Sequence, residues 1–473
     1  MNSNLAKNLE VKNEKPFGLK DKVGYLFGDL GNDFTFMFAS MFLMIFYTKV
    51  WGVSASMVGV LFLVSRFIDA CSDITMGTIV DKCKPTKDGK FRPWIKRMAL
   101  PVTLMSFLMY QSSLANASMT VKIVVMFTTY ILWGSVCYTA INIPYGSMAS
   151  AITNDPKERA SLSTWRSMGA NIAIVIIGSI APQIIYYADA NGNQLVHPEK
   201  FTMVAGIFSI CALICYALCF MLTTERVKFE NDENKEKVSI VKNLGIILKN
   251  KALLAIIGAA IVLLLSSLMT QTINQYLFAD YFKDINALSM INMLVLPVSL
   301  ILAAVIVKLA EKFGKREVSM MGMFMTGLIF IGCYVSKITN SWLYVAMFTM
   351  SSLFSNTFNM LIWAKITDII DYNEILTGKR DDGTIYGLYS FSRKIGQALA
   401  GGLGGFALTF IGYNSAAAVQ SQATTDGIYT LATLFPGVCY IVVGLILMFA
   451  YPLSKKVVEE NVTKLKVKRS VNN

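Results

Sequence analysis

The sequence predicts an all-α membrane protein with twelve transmembrane helices in two six-helix halves, and three observations predict it. Of the 473 residues 54% are hydrophobic and 15% charged, whereas a soluble chain carries roughly 25% charged residues. Apolar runs such as 98–108, 172–185 and 253–269 each extend, with few charges, to the ~20 residues a helix needs to cross hydrocarbon. A charged segment at 223–249, with Glu225, Arg226, Lys228, Glu230 and Asp232 at its start, parts the apolar runs into two sets.

Windows of ~19 residues place helices near 24–49, 55–80, 95–115, 119–150, 161–186 and 200–222. A second set falls near 250–280, 285–310, 317–337, 341–366, 383–412 and 427–452. The expected organisation is an N-terminal segment 1–23, a first half 24–222, a linker 223–249, a second half 250–452 and a tail 453–473. Residues 1–22 are polar and basic with no apolar core, so they do not read as a signal peptide.

Charge sets the orientation. The loop 81–97 holds Lys82, Lys84, Lys87, Lys90, Arg92, Lys96 and Arg97, and the linker, 308–316, 379–380 and 455–469 are basic too. The opposite loops offer Lys49, Lys122 and, in 414–426, no Lys or Arg. By the positive-inside rule both termini face the cytoplasm, and the expected location is a bacterial plasma membrane. The net charge of +13 is thus spread over alternate loops, which is no footprint for nucleic acid. The eight Cys lie mostly within apolar runs without a CxxC pair, and Cys211, Cys215 and Cys219 recur at helical spacing as packing residues. No nucleophile constellation or nucleotide-binding loop is visible, so neither an enzyme nor a cofactor is expected. Two halves joined by a linker fit a secondary transporter built from repeats. The Gly-containing basic loops 81–94 and 311–316 are a faint internal echo of that repeat.

Ionisable residues inside a membrane are costly and mark function. In "SRFIDACSDITMG" Asp69 and Asp73 stand four apart on one helical face, with Arg66 three before Asp69. Two carboxylates that close repel unless a cation, a proton or an arginine separates them. A site for Na⁺ or H⁺ follows, with Asp69 and Asp73 as ligands and Ser72 and Thr139 adding neutral oxygens. The bland alternative is a static Arg–Asp pair between helices. Asp33, on the face of Asp29 but deeper, is placed to accept hydrogen bonds from sugar hydroxyls. Tyr138, Asn142 and Arg166 complete a candidate substrate site, and Pro144 should kink its helix. Lys394, in "SFSRKIGQALAGG", is an expected partner of the Asp69–Asp73 pair, and the glycines at 401–405 permit close helix approach. Asp368 and Asp371, read as lying in a loop after the tenth helix, form with Arg380 an intracellular gate network that pairs with Arg92 or Lys90. The lone His197 falls in an external loop.

The segments "RFIDACSDITMGTIVDKCKPTKDGKFRPW", "LWGSVCYTAINIPYGS" and "DIIDYNEILTGKRDDGTIYGLYSFSRKIGQALAGG" resemble the glycoside–pentoside–hexuronide:cation symporters, a branch of the major facilitator superfamily. The likeness runs through nearly the whole chain, nearest to the glucuronide and xyloside carriers and more distantly to the melibiose/sodium symporter. The resemblance implies that Asp69, Asp73 and Thr139 are cation ligands, with Ser72 where the melibiose carrier has Asn. It implies that Asp33 and Arg166 bind sugar and that Lys394 is linked to the cation site. The chain departs from the melibiose carrier at Asn142, Gly146, Asn32 and Asn359, where that protein has Asp, Trp, Lys and Trp. The expected activity is uptake of a glycoside (pentoside, β-glycoside or hexuronide) coupled to inward Na⁺ or H⁺ movement by a monomer. Neutral glycosides rank ahead of glucuronides, because the charge of Asp33 opposes an acid. A symporter of amphipathic lipid and a transporter-shaped sensor are the alternatives.

Overall fold

Long apolar helices account for almost all of the chain in the computed structural model, which describes residues 16–227, 250–378, 382–417 and 419–471. In order they are α1 Leu19–Val50, α2 Ala55–Lys82, α3 Arg92–Leu108, α4 Met119–Ile152, α5 Pro156–Ile185 and α6 Pro198–Leu222. Then follow α7 Lys251–Tyr281, α8 Ile285–Phe313, α9 Lys315–Ser336, α10 Ser341–Thr377, α11 Asp382–Phe410 and α12 Gln422–Ala450. Among the described residues, nine of these twelve are long and apolar enough to cross a bilayer; α3, α10 and α11 are the others. Their shortfall has simple causes. Helix α3 has 17 residues, α10 carries Ser351, Ser352, Ser355, Asn356, Thr357 and Asn359 in the part before its first charge, and α11 holds Arg393 and Lys394.

The chain divides into two units. One comprises Met1–Val53, Val64–Ile185 and Val196–Glu233; the other comprises Ser54–Leu63, Tyr186–Leu195 and Asn234–Asn473. In the first, α1 is the central element, packed against α5 and α6. Gly31 makes that approach possible, since a Cβ there would lie 3.1 Å from the Tyr216 ring of α6 and 3.2 Å from the Ala212 carbonyl. At the C-terminal end of α1, Phe38, Phe46, Tyr110 and Phe201 form an aromatic cluster. The buried Lys122 closes it by donating to the Trp51 carbonyl at 2.8 Å.

The second unit has an apolar core from Ile256 and Leu263 of α7, Met323 and Phe330 of α9, Phe358 and Ile369 of α10, and Tyr440 and Val443 of α12. Lipid tails are as apolar as leucine, so close packing rather than exclusion of water holds such helices together. Small residues serve that end. A Cβ on Gly405 would lie 2.3 Å from the Ala55 carbonyl, and one on Gly59 would lie 2.8 Å from the Gly402 carbonyl, so the close approach expected at 401–405 is present. Large apolar side chains such as Val335, Phe410 and Phe449 are exposed, as is Phe67 of the first unit.

Several expectations are corrected. Helix α10 runs to Thr377, so Asp368 and Asp371 stand on a helix and not in a loop. Helix α8 breaks at Leu294 into Ile285–Met293 and Val295–Phe313, just before Pro297, whose ring cannot continue the hydrogen-bond ladder. Within the expected tail, Lys455–Val471 forms a helix, α13, with Leu465 and Asn461 buried, an addition to that expectation and not a correction of it. A short hairpin of β1 Tyr186–Ala188 and β2 Gln194–Val196 joins α5 to α6. The start of the linker is not merely solvated. Glu225 accepts from the backbone amides of Lys90, Phe91 and Arg92 at 2.7, 2.8 and 2.7 Å, capping α3. Arg226 forms a buried ion pair with Asp21 at 2.9 Å. The remainder, 228–249, lies outside the described residues.

Candidate functional site

Helix α2 presents Arg66, Asp69 and Asp73 along one face, and α4 answers with hydroxyls. Arg66 Nη1 donates to Asp69 Oδ2 at 3.3 Å within the helix. Ser135 Oγ donates to Asp69 Oδ1, and Thr139 Oγ1 donates to Asp73 Oδ1 at 3.1 Å. Both hydroxyls come from a π-helical turn, Leu132–Tyr138, and its C-cap. Such turns recur at functional sites because they re-aim side chains. Here the Gly134 carbonyl lies 3.2 Å from Thr139 Oγ1, adding a backbone oxygen beside the carboxylates. Two carboxylates, two hydroxyls and a carbonyl are the donor set a hard monovalent cation prefers. Ser72 is differently engaged, donating to the Asp69 carbonyl of its own helix at 3.1 Å.

A second polar cluster joins α1, α4, α5 and α6. Asp29 accepts from Arg166 Nε at 2.8 Å, which leaves the two terminal nitrogens of the guanidinium outside that bond. The same guanidinium lies over the Tyr145 ring, 5.3 Å from its centroid. Arg166 Nη1 is 3.7 Å from where a side chain on Gly146 would begin, so a larger residue would crowd it. Asp33 is buried and makes no hydrogen bond among the described residues. Next to it Asn32 donates to Asn142 Oδ1 at 3.3 Å and accepts from the Tyr216 hydroxyl at 3.0 Å. Tyr138 stacks on Phe36 with centroids 5.5 Å apart, walling the cluster with aromatic carbon.

The sequence-predicted residues thus fall into two groups of the first unit, Asp69, Asp73 and Thr139 in one, Asp33, Asn142 and Arg166 in the other. Lys394 belongs to α11 of the second unit. The residues expected to form a gate have these partners within their own units. Arg92 binds the Phe220 carbonyl at 2.6 Å and the Asp88 carbonyl at 3.2 Å, and its guanidinium covers the Phe220 ring. Lys90 Nζ donates to the Asp81 carbonyl at 3.1 Å. Asp368 pairs with Lys315 at 2.7 Å, because the extended α10 brings it to the start of α9. Arg380 lies outside the described residues. Sequence reasoning missed Ser135, Lys315 and Tyr216. Ser135 alone had a signal, standing four residues before Thr139.

Buried ionisable groups on a bundle of membrane-spanning helices define a multi-pass membrane transporter, not an enzyme. The profile of the MFS/sugar transport protein family matches residues 24–455, and the chain belongs to that family. It is 30% identical over 460 residues to an uncharacterized symporter of Bacillus subtilis, YjmB, covering 96% of this chain and 97% of that one. It is 32% identical over 442 residues to a putative sulfoquinovose importer of Escherichia coli, covering 93% and 91%. Among solved structures, a bacterial homologue of the iron transporter ferroportin superposes with a TM-score of 0.63 at 11% identity, covering 93% of this chain and 100% of that one, a likeness of fold alone. The protein is therefore a sugar transporter of the major facilitator superfamily.

Proposed function

We propose that the protein couples the uptake of a glycoside to the inward movement of Na⁺ or H⁺. The observation that carries this is the pairing of the α2 carboxylates with the α4 hydroxyls, one turn of α4 away from Asn142. Arg66, Asp69 and Asp73 sum to one negative charge, which suits one monovalent cation or one proton. The same helix α4 continues into the Asn142–Arg166 cluster, so occupation of the cation site stiffens the wall that meets the solute. An anionic, unoccupied cluster favours hydration and an open site, and its neutralisation lets the site close and turn to the other face of the membrane. The wall itself offers what a polyhydroxylated solute needs, with Asp33 as acceptor, Asn142 and Arg166 as donors and Tyr138 as an apolar platform. The relative described as a sulfoquinovose importer is in keeping with a sugar-sized polar solute.

The test is uptake into membrane vesicles with a labelled panel of neutral glycosides, glucuronides and sulfonated sugars, under separately imposed Na⁺ and H⁺ gradients. Accumulation of one panel member driven by one of the gradients is expected. Uptake that ignores both gradients would end the coupling half of the proposal and leave a facilitator.

A further inference from the structure

An asparagine in a binding wall has two faces, one donating and one accepting, and a neighbour must choose between them. For Asn142 that neighbour lies outside the residues so far given roles. Tyr216 on α6 is 2% exposed and donates its hydroxyl to Asn32 Oδ1 at 3.0 Å. Asn32 is 1% exposed and donates its Nδ2 to Asn142 Oδ1 at 3.3 Å. The two bonds run in one direction, and they end by occupying the accepting face of Asn142. Its NH₂, a pure donor, is left for the half-buried side. Gly31 helps the Tyr216 ring lie close against α1, where a Cβ would come to 3.1 Å from it. One turn further along α4, Arg166 Nη1 lies beside Gly146 and adds a second donor on that stretch of helix.

We propose that Tyr216 and Asn32 are positioning residues that hold Asn142 with its NH₂ towards the transported solute, so that this wall reads an acceptor oxygen on the sugar. The inference rests on the glycoside reading above. Replacing the Asn32 amide by a carboxylate keeps an acceptor for Tyr216 and draws the Asn142 NH₂ towards α1. Asn142 then shows its oxygen to the solute, and the wall asks for a donor instead.

The experiment uses the full-length protein in vesicles, first with the glycoside panel and then with monofluoro and monodeoxy analogues of whichever member is carried. Fluorine accepts weakly and cannot donate. At the hydroxyl read by Asn142, the wild type should hold the fluoro analogue within about twofold of the parent and lose about fivefold on the deoxy analogue. In Asn32→Asp the fluoro analogue should fall about fivefold behind the parent. Tyr216→Phe, which removes only the phenolic hydroxyl, should raise KM about fivefold while the maximal rate holds, and melting in detergent reports that it folds. An unchanged fluoro-to-hydroxyl ratio in Asn32→Asp, or an unchanged KM in Tyr216→Phe, overturns the relay and leaves the transport reading standing. A wild type that carries no panel member overturns the transport reading, and the relay falls with it.

Discussion

Asp69 and Asp73 are the same residue type four positions apart, yet they do not carry equal roles. Asp69 is held by Arg66 at 3.3 Å and by Ser135, so its charge is partly balanced within the protein. Asp73 meets the Thr139 hydroxyl of α4 at 3.1 Å and is thereby tied to the helix that carries Asn142. Asp73→Asn should therefore abolish concentrative uptake while downhill exchange of sugar continues. Wild-type accumulation by that variant in vesicles would remove Asp73 from the coupling mechanism. Arg166 and Asp29 can be ranked in the same way. A hydrogen bond to a charged group contributes about 1.5–3 kcal/mol, so Arg166→Ala should weaken sugar affinity tenfold or more, and Asp29→Asn, which leaves the guanidinium present but loosely aimed, only about threefold. If binding measurements give the reverse order, Asp29 and not Arg166 meets the solute. The carboxylates and Arg166 were legible in the sequence because charges are rare in membrane helices. Ser135 was marked only by its spacing to Thr139 and Tyr216 by nothing, since serine and tyrosine are ordinary there and the packing of α4 and α6 against α2 and α1 gives them their task.

At the level of the element, helix positions followed from hydropathy, but their ends did not. Hydropathy stops a helix at the first charges, whereas α10 continues through Asp368 because Lys315 compensates it, and Asn373 is bonded to Asn250 at 3.2 Å. The cap of α3 was equally hidden, being supplied from the far side of three intervening helices. Glu225→Ala should cost about 1–2 kcal/mol of stability by analogy with other lost N-caps, read as a lower melting temperature with unchanged KM. No change in melting would make the three amide contacts incidental. The π-helical turn Leu132–Tyr138 offers a sharper test, because it holds one residue more than an α-helical turn. Deleting Val136, whose side chain is exposed, restores a regular helix and turns Ser135 relative to Thr139 by about 100°. The two hydroxyls can then no longer address Asp69 and Asp73 together. We expect a folded protein whose uptake has lost its response to the cation gradient; a retained response would show that one hydroxyl suffices.

For the whole molecule, orientation decides the direction in which a gradient drives transport, and charge is the observation that predicts it. The end of α2 and the α2–α3 connection carry Lys82, Lys84, Lys87 and Lys90, and the α8–α9 junction and α13 are basic as well. At the other end of α3, the stretch before α4 carries no Lys or Arg until Lys122, whose ammonium is turned inward onto the Trp51 carbonyl. Helix α3 spans about 26 Å at 1.5 Å per residue, so its two ends lie near opposite faces of a bilayer whose hydrocarbon is ~30 Å thick. Lys87 and Asn116 flank it and are both exposed. In a background with Cys71, the exposed cysteine, changed to Ala, Asn116→Cys should react with a membrane-impermeant maleimide in intact cells. Lys87→Cys should react only after the membrane is everted. This follows because moving Lys and Arg across the membrane is what insertion resists, so the lysine-rich end of α3 stays where the chain was made. The opposite labelling pattern would reverse the side assigned to the Lys315–Asp368 pair. It would also turn the proposed uptake into export for the same imposed gradient.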